Sequence, residues 1–207
     1  MASPVPPASR RPAAKPATGP GRPKDLGKRA AILDAAKRLF AREGFGGTSM
    51  DQIAAEAGVS KLTVYSHFGD KEALFTEAVR AKCEEMLPDD LFQIELKGPL
   101  RDQLQVIAQA FFALISSDEA ISTQRMMMVP GNIDDNLKQV FWQAGPQRTH
   151  DAFAALLQAR VDAGELDIPD VPRAAEQFFT LIKGDLHGRM MWGFGERPGR
   201  GDVSSHL

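Results

Sequence analysis

"GFGGTSMDQIAAEAGVSKLTVYSHFGDKEALF", residues 44–75, decides how the chain is read. Met50, Ile53, Ala54 and Ala57 recur at helical spacing and stop at Gly58; Val64 and Phe68, four apart, resume beyond "GVS". The pattern predicts a helix over 49–57, a glycine turn, and an eight-residue helix over 61–68 that is too short to be stable alone. Thr48 is expected to cap the first of these, with Asp51 as its capping-box partner, and Ser60 the second. Two short helices joined by a tight glycine turn make a helix-turn-helix. With Val64 and Phe68 inward, Lys61 and Tyr65 share one outward flank, and Thr63 and His67 another. Tyr65 is the sole tyrosine and His67 one of four histidines. On a wet flank their hydroxyl and imidazole suit phosphate oxygens, while Leu62, at the exposed tip, suits a thymine methyl.

Outward from this core the chain reads helical almost throughout, so the expected fold class is all-α. Upstream, residues 28–43 put Ile32, Ala36, Leu39 and Phe40 on one face, with Gly44 as C-cap. Downstream, Asp70 caps a helix over 71–87. Further helices are expected over 100–115 (Leu100, Leu104, Ile107, Phe111, Ile115), over 119–128, and from 133 to a break at Pro146 that resumes through Phe153 and Leu157 to Gly164. A last helix starts near Pro172, with Ala175, Phe178, Ile182, Leu186 and Met190 inward. The closing "GFGERPGRGDVSSHL" has no helical period. The expected organisation is a basic Pro/Ala-rich tail over 1–27, a helix-turn-helix domain over 28–70, a helical domain over 71–195 reached through helix 71–87, and a flexible tail over 196–207.

Charge divides the chain. The overall net of −2 combines 14 Lys/Arg against 8 Asp/Glu in residues 1–82 with 11 against 19 in residues 83–207. A basic front and an acidic back predict that only the front meets a polyanion. Residues 1–24 hold seven of the 14 prolines, five basic residues and no acid, a composition that cannot bury enough apolar surface to order itself. The lone Cys83 excludes an intrachain disulfide, fits a reducing compartment and falls in an apolar helical pattern. No run reaches the ~20 apolar residues of a membrane span, and no apolar segment follows the "SRRP" at 9–12, so the protein is expected in the cytoplasm, with no membrane partner. A nucleophile elbow, an HExxH helix, a CxxC pair and a phosphate loop are all missing, which argues against an enzyme and against a cofactor or metal.

The linked positions Gly44-Phe45, Thr48-Ser49, Ile53-Ala54, Ala57-Gly58-Val59-Ser60, Tyr65, His67-Phe68 and Lys71 resemble the DNA-binding signature of the tetracycline-repressor (TetR) family, over about residues 28–80. "GRPK" at 21–24 resembles the basic arm that often precedes that domain and follows the minor groove. The resemblance implies double-stranded operator DNA as partner, with base-edge contacts from Lys61, Leu62 and Thr63. It implies phosphate contacts from Tyr65, His67 and Lys71, with Thr48 or Ser49 joining them and Arg22 and Lys24 on the arm.

It also implies a C-terminal domain that forms a homodimer and holds a small effector, and hence a repressor released from a palindromic site. Candidate effector contacts are Phe111, Ile115, Arg125, Met128, Phe141, Trp142, Phe178 and His187, with Gln124 and His150 as further polar groups; each side chain fits an ordinary core or surface role as well. "FFTLIKGDLHGRMMWGF" resembles the AefR-like subgroup, and Gly184 and Gly188, four apart, would let two helices approach at a dimer interface. The family usually ends in a further long helix that has no counterpart here. A helical scaffold whose helix-turn-helix binds protein is the other reading.

Overall fold

The computed structural model describes residues 25–93, 99–129, 133–194 and 198–207, and among these it contains helices and no strand. Helix α1 (Leu26–Gly47) begins where the Asp25 carboxylate accepts from the N–H groups of Gly27 and Lys28. It buries Ile32, Ala35, Ala36, Leu39 and Phe40, and its helical path ends at Gly44. Helices α2 (Met50–Glu56) and α3 (Lys61–Phe68) follow, then α4 (Lys71–Met86), capped by Asp70 as expected. Their buried side chains, with Ile133 and Leu137 from further along, form one core.

The cap of α2 corrects the sequence reading. Ser49, not Thr48, is the N-cap. Its hydroxyl accepts from the Gln52 N–H while its own N–H donates to Gln52 Oε1 at 2.7 Å, so Gln52 takes the place expected for Asp51. Thr48 is 2% exposed and its hydroxyl donates to the Gly44 carbonyl at 2.8 Å.

The second core gathers α5 (Leu100–Ile115), α8 (Arg148–Asp162) and α9 (Val171–Trp192), with Leu87 at the end of α4 and Phe92 in a short 3-10 turn. Helix α6 (Asp118–Met128) crosses back to α1, and α7 (Asp135–Trp142) to α4. Helix α4 thus serves both cores, through Leu74, Phe75 and Ala78 in the first and Leu87 in the second.

Pro146 does not break the chain. Residues Gln143–Gln147 form a π turn joining α7 directly to α8. The widened turn takes up the ring and the missing N–H where an α-helix would clash. The tail expected over 196–207 is also corrected. Residues Arg200–His206 form a helix, α10. Its His206 donates from Nε2 to the Ile182 carbonyl at 2.7 Å and its ring lies tilted, 5.4 Å from that of Phe112, while Val203 and Leu207 pack on the second core. Seven residues without an amphipathic period are held by these tertiary contacts rather than by propensity.

His206 also decides Gly184. There α9 leaves helical geometry (φ 47°, ψ −158°), and a Cβ would lie 2.6 Å from His206 Cε1. At Gly184 a close approach is thus made inside the chain, while nothing among the described residues comes within 4 Å of a Cβ at Gly188. Past this kink the buried position of α9 is His187, so Leu186 and Met190 are only half-buried; before it Phe179 takes the buried position and Phe178 is half-buried.

Candidate nucleic-acid interface and internal cavity

Gly58 (φ 66°) makes the turn between α2 and α3, and the Val59 N–H donates to the Ala54 carbonyl at 3.0 Å. Ser60 then caps α3 by accepting from the Thr63 N–H at 3.1 Å. Val64 and Phe68 are buried, which leaves the opposite face of α3 uncovered. Leu62 is 78% exposed and Tyr65 42%. Lys61 is exposed and bonds Asp51 of α2 at 2.9 Å; the Asp51 hydrogen bond, then its charge, raises the Lys61 pKa. A pair this open to water is held weakly and can be exchanged for a phosphate or a base edge. Thr63 is half-buried, its hydroxyl 2.8 Å from that of Ser60. Lys61, Leu62 and Thr63 therefore form the first turn of a short rod whose tip is open; Ser49, at the start of α2, is exposed as well.

Three expected phosphate ligands are placed differently. The Lys71 ammonium donates to the carbonyls of Phe45 and Thr48, at 2.9 and 3.0 Å, and lies 4.2 Å from the centre of the Phe45 ring. It ties the α1–α2 connection to the start of α4, because the backbone leaving α1 turns two free carbonyls toward it. The Thr48 hydroxyl is buried and already used. His67 is half-buried, with Nδ1 turned inward and without a partner among the described residues. It lies in a groove with Arg29, Phe68 and Gln143 rather than on the open flank. Arg22 and Lys24 lie outside the described residues.

Behind this face lies a cavity of about 530 Å³, bounded by α1, α4, α5, α6, α7, the π turn, α8 and α9. Its size is within the range of small-molecule sites. Phe111, Ile115, Met128, Phe141 and Trp142 line it, as do Gln124 and His150. The other three candidates do not. Arg125 donates to the carbonyls of Met190 and Met191, closing the end of α9. The Phe178 ring stacks on Phe153 at 4.4 Å in the second core. His187 is buried outside the lining, with Nε2 unpartnered among the described residues.

Phe40, Phe75, Cys83 and Lys183 also line it and are not among the effector candidates; periodicity puts Phe40 and Cys83 on inward faces but does not say that a space lies there. Lys183 alone left a signal, a single charge within the apolar run "FFTLIKGDL". Burial pushes the Cys83 thiol up to about 11, so it is a packing group rather than a nucleophile. No group of three or more metal-ligating side chains occurs among the described residues.

Residues 32–78 match the tetR family of bacterial regulatory proteins, and residues 102–207 match the C-terminal domain of AefR-like transcriptional repressors. The chain belongs to the TetR family. Its match to the HTH-type transcriptional regulator AcrR of Shigella flexneri is 32% identical over 100 residues, 47% of this chain and 44% of that one. The chain spans between a third and about half the length of the first curated relatives it resembles. A TetR-family regulator of Mesorhizobium loti superposes with a TM-score of 0.75 at 25% identity, over 89% of this chain and 93% of the other. The flavonoid-responsive regulator FrrA does so at 0.68 and 29%, over 88% and 92%. The TetR helix-turn-helix is thus α2–Gly58–α3, and the AefR-like domain takes in α10 as well.

Proposed function

We propose that this TetR-family chain is a cytoplasmic, DNA-binding transcriptional repressor that inserts the first turn of α3 into the major groove of a palindromic operator. The supporting observation is the uncovered tip of α3: Lys61 and Leu62 stand in solvent at the end of a rod whose other face is locked by Val64 and Phe68. Lys61 and Thr63 supply hydrogen bonds to base edges, Leu62 an apolar contact, and Tyr65 and Ser49 bonds to phosphate. A two-fold dimer sets two such helices about 34–36 Å apart, one turn of the duplex. An effector filling the cavity changes the relative placement of α1 and α4, which line it and also carry α2 and α3. Release follows if the effector binds the DNA-incompetent arrangement more tightly. FrrA, by its name a flavonoid-responsive regulator, is consistent with response to a small molecule.

Gel-shift titration of the full chain and of a chain starting at Asp25, at two salt concentrations, tests this reading. The full chain is expected to lose affinity steeply with salt. Removing the five basic residues of 1–24 is expected to flatten the log–log slope by up to about 0.9 for each phosphate that the arm neutralises. Binding indifferent to salt removes the DNA reading; an unchanged slope on truncation removes the arm from it.

A further inference from the structure

The charges around the cavity do not balance. Its lining contains the acids Asp34, Glu85 and Glu119 and the bases Lys37, Arg38, Lys82 and Lys183. Lys37 takes both Asp34 and Glu85, at 3.4 and 3.2 Å, and Lys82 takes Glu119 at 2.9 Å. Arg38 bonds Glu56 at 2.8 Å. Lys183, half-buried on α9 just before the Gly184 kink, has no hydrogen bond or ion pair among the described residues. No neighbour among them offsets its charge. His150 of α8, also in the lining, stacks on Phe179 at 5.2 Å, and His187 lies one turn along α9. Burial lowers the pKa of all three groups, and the Lys183 charge lowers both imidazoles further.

We propose, resting on the effector reading above, that the cavity takes an amphiphile with a singly charged anionic headgroup of the carboxylate type. Lys183 meets the headgroup, and the tail lies against Phe40, Phe75, Phe111 and Phe141. An ammonium with no counter-charge at the edge of an apolar space is costly, and the cost falls when an anion enters with its own apolar surface. One unmatched lysine sets the charge at one. A neutral apolar ligand would desolvate Lys183 further without pairing it, and a cationic one would be repelled. His150, kept neutral by burial, has a ring N–H free to donate a second bond to the headgroup.

Calorimetric titration of the full chain with octanoate, decanoate, dodecanoate and tetradecanoate, and with the matching primary alcohols, tests this. The best carboxylate is expected to bind about tenfold or more tighter than its alcohol, the difference a charge-assisted bond makes in a dry site. Lys183→Met is expected to abolish that preference and leave alcohol binding unchanged, and Lys183→Arg to keep it. Equal binding of carboxylate and alcohol by the wild type, or a preference that survives Lys183→Met, overturns the anionic headgroup and leaves the effector cavity standing. If no probe of either kind binds, both fall. The wild-type comparison decides the matter even if a variant fails to fold.

Discussion

Lys71 closes the α1–α2 connection with two bonds to backbone carbonyls, whereas Tyr65 keeps its ring in solvent on the far side of α3. The two residues carry the same expectation, a grip on phosphate, but their surroundings give them different work. Lys71→Ala is expected to cost about 1–3 kcal/mol of stability, because it leaves two carbonyls short of a charged donor. It should lower the denaturation midpoint while the salt slope of DNA binding stays as it was. Tyr65→Phe is expected to weaken binding to operator and random DNA alike, with no change in the midpoint. A lower salt slope for Lys71→Ala would restore it as a phosphate ligand. Residue type and local spacing suffice to place Tyr65, since both of its determinants, Val64 and Phe68, lie within three positions. They do not suffice for Lys71, whose partners lie 26 and 23 residues upstream.

At the scale of elements, caps and periods mark out most helices, and the exceptions share a cause. The π turn at Gln143–Gln147 and helix α10 carry no amphipathic period of their own. Each is held by a close packing event: Gly145, where a Cβ would come 3.3 Å from both Cys83 Sγ and Val79 Cγ1, and His206 against Gly184. Gly184→Ala is expected to be strongly destabilising, by about 1–3 kcal/mol or more, since it needs a positive φ and drives a methyl into the His206 ring. Thermal melting checks this. If α10 only rests on the surface, the loss should shrink to the φ penalty alone, and His206→Ala should then leave the midpoint of the Gly184→Ala protein unchanged.

At the scale of the whole molecule, a buried and a half-buried imidazole link folding to acidity. His150 and His187 both have pKa values below the ordinary 6.5, through burial first and the Lys183 charge second. A base whose folded pKa is depressed takes up its proton more readily when unfolded. Stability is therefore complete above pH 6.5 and falls as the pH drops through that value toward the folded pKa values. The urea midpoint is expected to fall between about pH 7.5 and 5.5, and His150→Gln or His187→Gln to flatten that decline. A midpoint independent of pH over this interval would mean that the two rings are solvated in the folded protein.

What the sequence determined by itself is local: the all-α class, the helix-turn-helix, and the wet face of α3. Each follows from repeats and caps within a few positions, where the backbone geometry is regular enough for spacing to imply direction. Which charges are matched was decided only by the tertiary structure. Lys71 is consumed, Thr48 is sealed in, Arg125 closes a helix end, and Lys183 is left without a counter-charge among the described residues, beside an apolar cavity. Polar pairing depends on which distant segments meet, and no periodicity along one helix records that.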